Sequence, residues 1–166
     1  AATLYGLNEI YNKPFSYDKL IKIACEIEGH GDNVVPAFKG GFTISVLNDN
    51  ELIYKKIPVN DKKLNVILII PDFQLKTSDL RKVLPKKINH RDAVYNSGRT
   101  ALLTSIFVNS DWDNLQAAMK DKLHQKYRAK LIPGFKSIIK AGYEAGALGM
   151  ALSGAGPTII AFTREN

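Results

Sequence analysis

The order in which hydrophobic periodicity changes along this chain restricts its fold more than any other feature. Apolar residues recur at helical spacing up to Phe38, alternate in the β manner from Phe42 to Leu47 with a partner strand from Leu52 to Ile57, and return to helical spacing after Pro71. The chain then ends in two short apolar runs around a glycine loop. Strands, then helices, then helix-strand-loop-strand predict an α+β fold rather than alternating βαβ units.

The punctuation supports this division. A helix is predicted from Ala1 to Tyr11, with Leu4, Leu7, Ile10 and Tyr11 on one face and no capping residue ahead of it. Ser16 caps a second helix in which Leu20, Ile21, Ala24 and Ile27 or Glu28 recur, and Gly29 stops it. Asp32 caps a short helix from Asn33 to about Phe38, which Gly40-Gly41 breaks. Phe42 to Leu47 and Leu52 to Ile57 read as a hairpin around Asn48-Asp49-Asn50. Leu64 to Ile70 is almost continuously apolar, which suits a strand covered on both faces. Helices follow from Ser78 to Leu84 and from Arg91 to Val108, the latter with Val94, Ala101, Leu102, Ser105 and Ile106 as core contacts. Asp111 caps a helix to Met119, and Pro133-Gly134 opens another that runs to about Ala145 and stops at Gly146. Strands are predicted from Ala147 to Leu152 and from Thr158 to Thr163.

Composition narrows the class. The single Cys25 excludes an intrachain disulfide, makes a reducing compartment the default, and reads best as a small buried hydrophobe. No apolar run approaches the roughly 20 residues that span a bilayer, and the N-terminus lacks a signal pattern, so a cytoplasmic protein with no membrane partner is expected. The net charge of +7 is scattered through pairs such as Lys55-Lys56, Lys62-Lys63 and Lys86-Lys87, without interleaved aromatics. That pattern argues against a nucleic-acid partner and is compatible with a nucleotide triphosphate or an acidic metabolite.

Three groups of residues can carry chemistry. In Leu152-Ser153-Gly154-Ala155-Gly156-Pro157-Thr158, the glycines allow consecutive N–H groups to turn inward as a nest for an anion; a plain tight turn is the other reading. Glu28-Gly29-His30-Gly31-Asp32-Asn33 packs two carboxylates, an imidazole and an amide around two glycines. A carboxylate there can hold Mg²⁺ through oxygen or accept a hydroxyl proton, and Asn33 can meet a substrate hydroxyl. The bland account makes Asp32 a cap, Glu28 a solvated residue and His30 a packed loop residue. Arg99 and Arg128 can each grip a carboxylate or phosphate with two parallel hydrogen bonds, although most arginines are surface residues. His30, His90 and His124 show no zinc-ligand spacing.

Three strings resemble a known family. EGHGDNVVPAFKGGF (28–42) resembles the EGHPDN-x-x-P-A-x-x-G-G-F segment of bacterial homoserine kinases. DKLHQKYRAKLIPGF (121–135) is similar to that family's D-x-L-H-Q-x-Y-R-x-x-L-x-P-G-F, and EAGALGMALSGAGPTIIAF (144–162) to its E-A-G-A-x-G-x-x-L-S-G-A-G-P-T. The resemblance covers nearly the whole chain in the same order. DKLHQKYR is not shared by the wider superfamily of galactokinase, mevalonate kinase and phosphomevalonate kinase, whereas the final glycine loop is.

The resemblance implies ATP-dependent phosphorylation of the L-homoserine hydroxyl to O-phospho-L-homoserine, in threonine biosynthesis, with ATP as co-substrate and Mg²⁺ as cofactor. It implies Glu28 as the metal carboxylate, with Glu26 as the alternative. Asp32 and Asn33 are implied as the catalytic pair meeting the hydroxyl and amino group, with His30 beside them on the substrate. Arg99 and Arg128 are implied as clamps on the carboxylate, and Ser153, Gly154, Gly156 and Thr158 as substrate-side loop residues, with Ser153 to Gly156, Ala155 included, facing the nucleotide. Gly31 replaces the family's usual proline, which should loosen the loop without removing a functional atom. The family often pairs as dimers.

One departure is larger. The family's main ATP loop, P-x-x-x-G-L-G-S-S-A-A, is not found in these 166 residues. The expectation is therefore an internal portion of such a kinase: residues 1–60 the remainder of an N-terminal S5-domain-2-like half that binds nucleotide and substrate, residues 61–166 an incomplete ferredoxin-like half. Such a chain alone should bind ATP poorly and turn over little. The other readings are another small-molecule kinase of the superfamily, against which the two arginines argue, and a non-catalytic ligand-binding α+β module.

Overall fold

The computed structural model describes residues 1–48 and 51–165, so the predicted turn at Asp49-Asn50 lies outside the described residues. The chain mixes helix and strand in the predicted order, and it divides into two compact units, Ala1–Val59 and Asn60–Asn166.

The first unit contains α1 (Ala2–Ile10), α2 (Tyr17–Glu28), α3 (Val34–Lys39), β1 (Phe42–Asn48) and β2 (Glu51–Ile57). Helix α2 starts where Ser16 Oγ accepts the Lys19 N–H at 3.3 Å and ends at Gly29, which takes a left-handed φ of 85°. Its buried stripe is Leu20, Ile21, Ala24 and Cys25, of which Ile21 and Cys25 pack with Val35 against Leu47, Leu52 and Tyr54 of the antiparallel β1–β2 pair. Cys25 is thus the small buried hydrophobe the sequence suggests, and burial pushes its thiol pKa up.

Two expectations about α1 and α2 fail. Ile27 is exposed, Cys25 having taken the fourth place on the stripe. The apolar face of α1 is also largely exposed, with Leu7, Ile10 and Tyr11 in solvent. What ties α1 down is polar: buried Asn8 donates through Nδ2 to Phe15 O at 3.1 Å and accepts the Phe15 N–H at 3.0 Å, closing the loop to α2.

The second unit contains β3 (Leu64–Ile69), α4 (Thr77–Lys82), α5 (His90–Asn109), α6 (Leu115–Ala118), α7 (Gln125–Arg128), α8 (Phe135–Glu144), β4 (Gly149–Leu152) and β5 (Ile159–Arg164). The strands form one antiparallel sheet in the order β3-β5-β4. Ile132, Met150, Leu152, Ile159 and Ala161 make its core, closed by Phe135, Ile138, Ile139 and Tyr143 on and beside α8.

Three expectations are corrected here. Among the described residues strand β3 is not covered on both faces: it is an edge strand with Val66, Ile67 and Leu68 exposed, because an unbroken apolar run does not by itself distinguish a central strand from an edge. On α5, Val94, Ala101, Leu102 and Ser105 point to solvent and only Ile106 of the five is buried. The packed side runs through Tyr95, Asn96, Arg99 and Leu103 to Ile106 and Phe107, a stripe whose polar members hide it from a hydrophobicity reading. Asp111 makes no side-chain cap; a 3₁₀ turn at Trp112–Asn114 precedes α6, and the buried Trp112 donates through Nε1 to Asp61 Oδ2 at 2.8 Å.

Gly149 marks where β4 meets α6. A Cβ there would lie 2.5 Å from Met119 Sδ and 2.7 Å from Leu115 Cγ, and Leu115 is fully buried. Gly149→Ala is therefore expected to destabilise the second unit by about 2 kcal/mol through overpacking. Chemical denaturation reads this as a lower midpoint at unchanged slope; an unchanged midpoint would contradict the packing described.

Candidate active site

In the first unit the Glu28–Asn33 segment joins α2 to α3. Gly29 turns the chain, and His30 falls between two carboxylates, with Nδ1 2.5 Å from Asp32 Oδ1 and Nε2 3.8 Å from Glu28 Oε1. The Nδ1 approach lacks hydrogen-bond alignment. Asp32 is not the cap of α3. Asn33 occupies that position, and Asp32 Oδ1 accepts only the Asn33 N–H, at 2.9 Å. Asn33 in turn makes no cap bond, because the third helical residue is Pro36, which has no N–H to offer. Both side chains remain exposed and free to meet a ligand.

Gly31 is packed closely against its surroundings. A Cβ there would stand 2.7 Å from Ser45 Oγ and 3.3 Å from Val35 Cγ2, so the segment lies close against β1.

Glu26 pairs with Lys22 at 3.7 Å, one turn earlier on α2. Among the described residues Glu28 has only the His30 contact, and its side chain is 52% exposed. A hard divalent cation that binds through one or two carboxylates, water and substrate phosphate fits Glu28 better than Glu26. Among the described residues, no three His, Cys, Asp or Glu side chains converge as a metal cage.

In the second unit the register Leu152↔Ile159 leaves Ser153 to Thr158 as the loop between β4 and β5. Ser153 N–H donates to Thr158 O at 2.9 Å and Gly156 N–H to Ser153 O at 3.0 Å. Gly154 and Gly156 take φ of 57° and 89°, conformations open to glycine at little cost. The N–H groups of Gly154 and Ala155 and the hydroxyls of Ser153 and Thr158 have no partner among the described residues, as an anion nest requires.

The segment from Asp121 to Arg128 holds this loop from one side. Arg128 donates through Nη1 to Gly154 O at 3.1 Å and through Nε to Leu80 O at 3.3 Å. Gln125 accepts the Leu152 N–H through Oε1 at 2.9 Å while its Nε2 donates to Met119 O at 3.2 Å. Asp121, its side chain 7% exposed, accepts from Asn96 Nδ2 and from the N–H groups of Leu123, His124 and Gln125 at 2.6 to 3.1 Å. Burial alone would raise its pKa, but the N–H donors of Gln125 and His124 and the Asn96 amide overcome that and hold the carboxyl below its ordinary value. His124, by contrast, is lowered by burial and by the charge of Arg128, against the pull of Asp121.

Arg99 lies with its guanidinium carbon 3.5 Å from the Tyr95 ring centroid, and its Nε is buried without a partner among the described residues. It lines a cavity of about 270 Å³ with Asn96, Asp121, His124, Gln125 and Leu152. The second unit therefore joins Arg128 to the glycine loop and sets Arg99 in a cavity that reaches Leu152 at the loop's start, and the first groups Glu28, His30, Asp32 and Asn33. Sequence reasoning assigned no role to Asp121, Gln125 or Asn96. The signal was partly there, since an aspartate followed by three N–H groups of a tight turn is a common Asx arrangement.

Comparison with known proteins shows what this chain is similar to. The N-terminal domain model of the GHMP kinases matches residues 1–41 and the C-terminal model residues 102–166. A homoserine kinase of Halothermothrix orenii is 54% identical over 162 residues, 98% of this chain and 52% of the relative. The crystal structure of homoserine kinase from Cytophaga hutchinsonii superposes with a TM-score of 0.88 at 32% identity, over 98% of this chain and 53% of that one. The L. major mevalonate kinase structure shares the fold alone, with a TM-score of 0.70 at 18% identity. The chain spans about half the length of the curated relatives it matches. With an N-terminal and a C-terminal family match in the proper order, and a glycine loop held by an arginine and a glutamine, this chain belongs to the GHMP kinases.

Proposed function

We propose that the protein carrying this chain transfers the γ-phosphoryl group of ATP to the side-chain hydroxyl of L-homoserine, in threonine biosynthesis. The observation that carries the reading is the DKLHQKYR segment folded as the support of the glycine loop, in a chain 54% identical over nearly its whole length to a homoserine kinase. The first unit is taken as the remainder of the S5-like nucleotide and substrate half and the second as the ferredoxin-like half.

In this reading the exposed Asp32 carboxylate and Asn33 amide receive the homoserine hydroxyl and amino group, with His30 beside them. Asp32 takes up the hydroxyl proton as oxygen bonds to phosphorus and the bond to the ADP oxygen breaks. Arg99 and the free N–H groups of Arg128 hold the substrate carboxylate. The free N–H groups of Gly154 and Ala155, with the Ser153 and Thr158 hydroxyls, face phosphate. Glu28 would hold Mg²⁺, which supplies charge neutralisation at the transferring phosphates. Most of the rate then comes from positioning and charge stabilisation.

No helix among the described residues is long and apolar enough to cross a membrane. Cytoplasmic location and homodimeric pairing belong to the same proposal; light scattering that gave a single-chain mass would remove the second.

A coupled assay of ADP release by the whole gene product, with homoserine, ATP and Mg²⁺, is the direct test. Turnover with homoserine is expected, and activity confined to another alcohol would sink the reading. For the 166-residue chain alone, calorimetry should find weak ATP binding, since the main phosphate loop of the family is not in it.

A further inference from the structure

A second cavity in the same unit, of about 620 Å³, borders the Arg99 cavity. Its floor is apolar, made by Met119, Phe135, Ile139, Tyr143 and Met150. Five lysines stand around it: Lys120, Lys122, Lys126, Lys130 and Lys136. None of Glu28, His30, Asp32, Asn33, Arg99, Arg128 or the glycine loop lines it.

The charges do not cancel. Asp92 takes Lys126 at 3.1 Å and Lys122 at 3.8 Å. The carboxylate of Asp121, the acidic residue on the cavity wall, is spent on Asn96 and three N–H groups. Lys120, Lys130 and Lys136 are exposed and have no acidic partner among the described residues. A positive collar above an apolar floor favours one kind of occupant, an apolar body that carries negative charge. The floor offers one more polar group. Tyr143 oxygen accepts the Met150 N–H at 3.1 Å, so its own hydroxyl hydrogen is free to be donated.

We propose that this cavity binds an organic anion: a flat or acyl apolar group seated on Met119, Phe135 and Met150, its carboxylate, phosphate or sulfonate held by Lys120, Lys130 and Lys136. Met119, Lys120, Asp121 and Gln125 line both this site and the Arg99 cavity, and the Gln125 side chain holds the Leu152 N–H at the start of the glycine loop. An occupant therefore rests against a residue that positions the loop. The site is independent of which alcohol the kinase phosphorylates.

The probe is 8-anilinonaphthalene-1-sulfonate, titrated by fluorescence into the 166-residue chain. The variant Lys120→Glu/Lys130→Glu/Lys136→Glu changes only exposed side chains, and its affinity is expected to fall about tenfold or more. Gln116→Trp, an exposed helical residue at the cavity wall, should weaken binding by filling the space. Leu7→Ser, in the apolar groove of the first unit, should leave affinity unchanged. Equal affinity in the charge-reversed chain would overturn the proposal, as would loss of binding in Leu7→Ser. Inorganic phosphate at matched ionic strength should not displace the probe; displacement would show an ion-only site and overturn the apolar half of the claim.

Discussion

Asp121→Ala is expected to cost about 3 kcal/mol and to lower the melting temperature of the second unit by about 10 °C. The carboxylate is not one partner among many. It satisfies three consecutive backbone N–H groups, of Leu123, His124 and Gln125, and the Asn96 side chain from α5. Removing it leaves those donors part-buried and unpaired, and each stranded donor costs on the order of 1 kcal/mol. Gln125 would lose its fixed position, and with it the hydrogen bond to the Leu152 N–H.

The pH dependence has a definite sign. The folded pKa of Asp121 lies below its ordinary value of 3.8, so the unfolded chain binds the proton more readily. The stabilisation is therefore complete above the unfolded pKa and drains away as pH falls through the folded one. Asp121→Asn should flatten the acid limb of the stability curve below about pH 4 and change its shape little near neutrality. An acid limb identical in the two proteins would mean that other carboxylates dominate acid unfolding.

Several parts of this fold were legible because local chemistry decides them. Ser16 and Gly29 bracket α2 through a cap and a left-handed glycine, both encoded within a few residues. The first hairpin strand alternates and faces its partner across a short turn, and the glycine loop announces its own backbone. The face of α5 and the exposure of β3 were not legible, because each is settled by partners distant in sequence. Asn96 is turned inward by Asp121, 25 residues away, and β3 pairs only with β5 among the described strands. The candidate site divides in the same way. Its exposed acids and its loop could be named from residue type, whereas the work of Gln125 depends on a contact 27 residues along the chain that no local pattern encodes.

Arg128 shows what this division means for function. The guanidinium spends Nε on Leu80 O and one Nη1 hydrogen on Gly154 O, leaving its other three N–H groups for a ligand. One side chain can thus tether the glycine loop and grip a carboxylate at once. Arg128→Met in the whole enzyme is expected to lower kcat/KM roughly a hundredfold, the loss of about 3 kcal/mol typical of truncating a hydrogen-bonded charged group. Arg128→Lys should recover little, because a single ammonium does not reproduce the planar fork that spans two carbonyls and a carboxylate. Amide exchange separates the two roles. If Arg128 tethers the loop, exchange at Ser153 to Gly156 quickens in both variants without substrate present, and kcat falls along with a rise in KM. If it acts as a clamp alone, KM rises while the loop amides exchange as in the parent protein, and the tether assigned here to the Gly154 carbonyl is wrong.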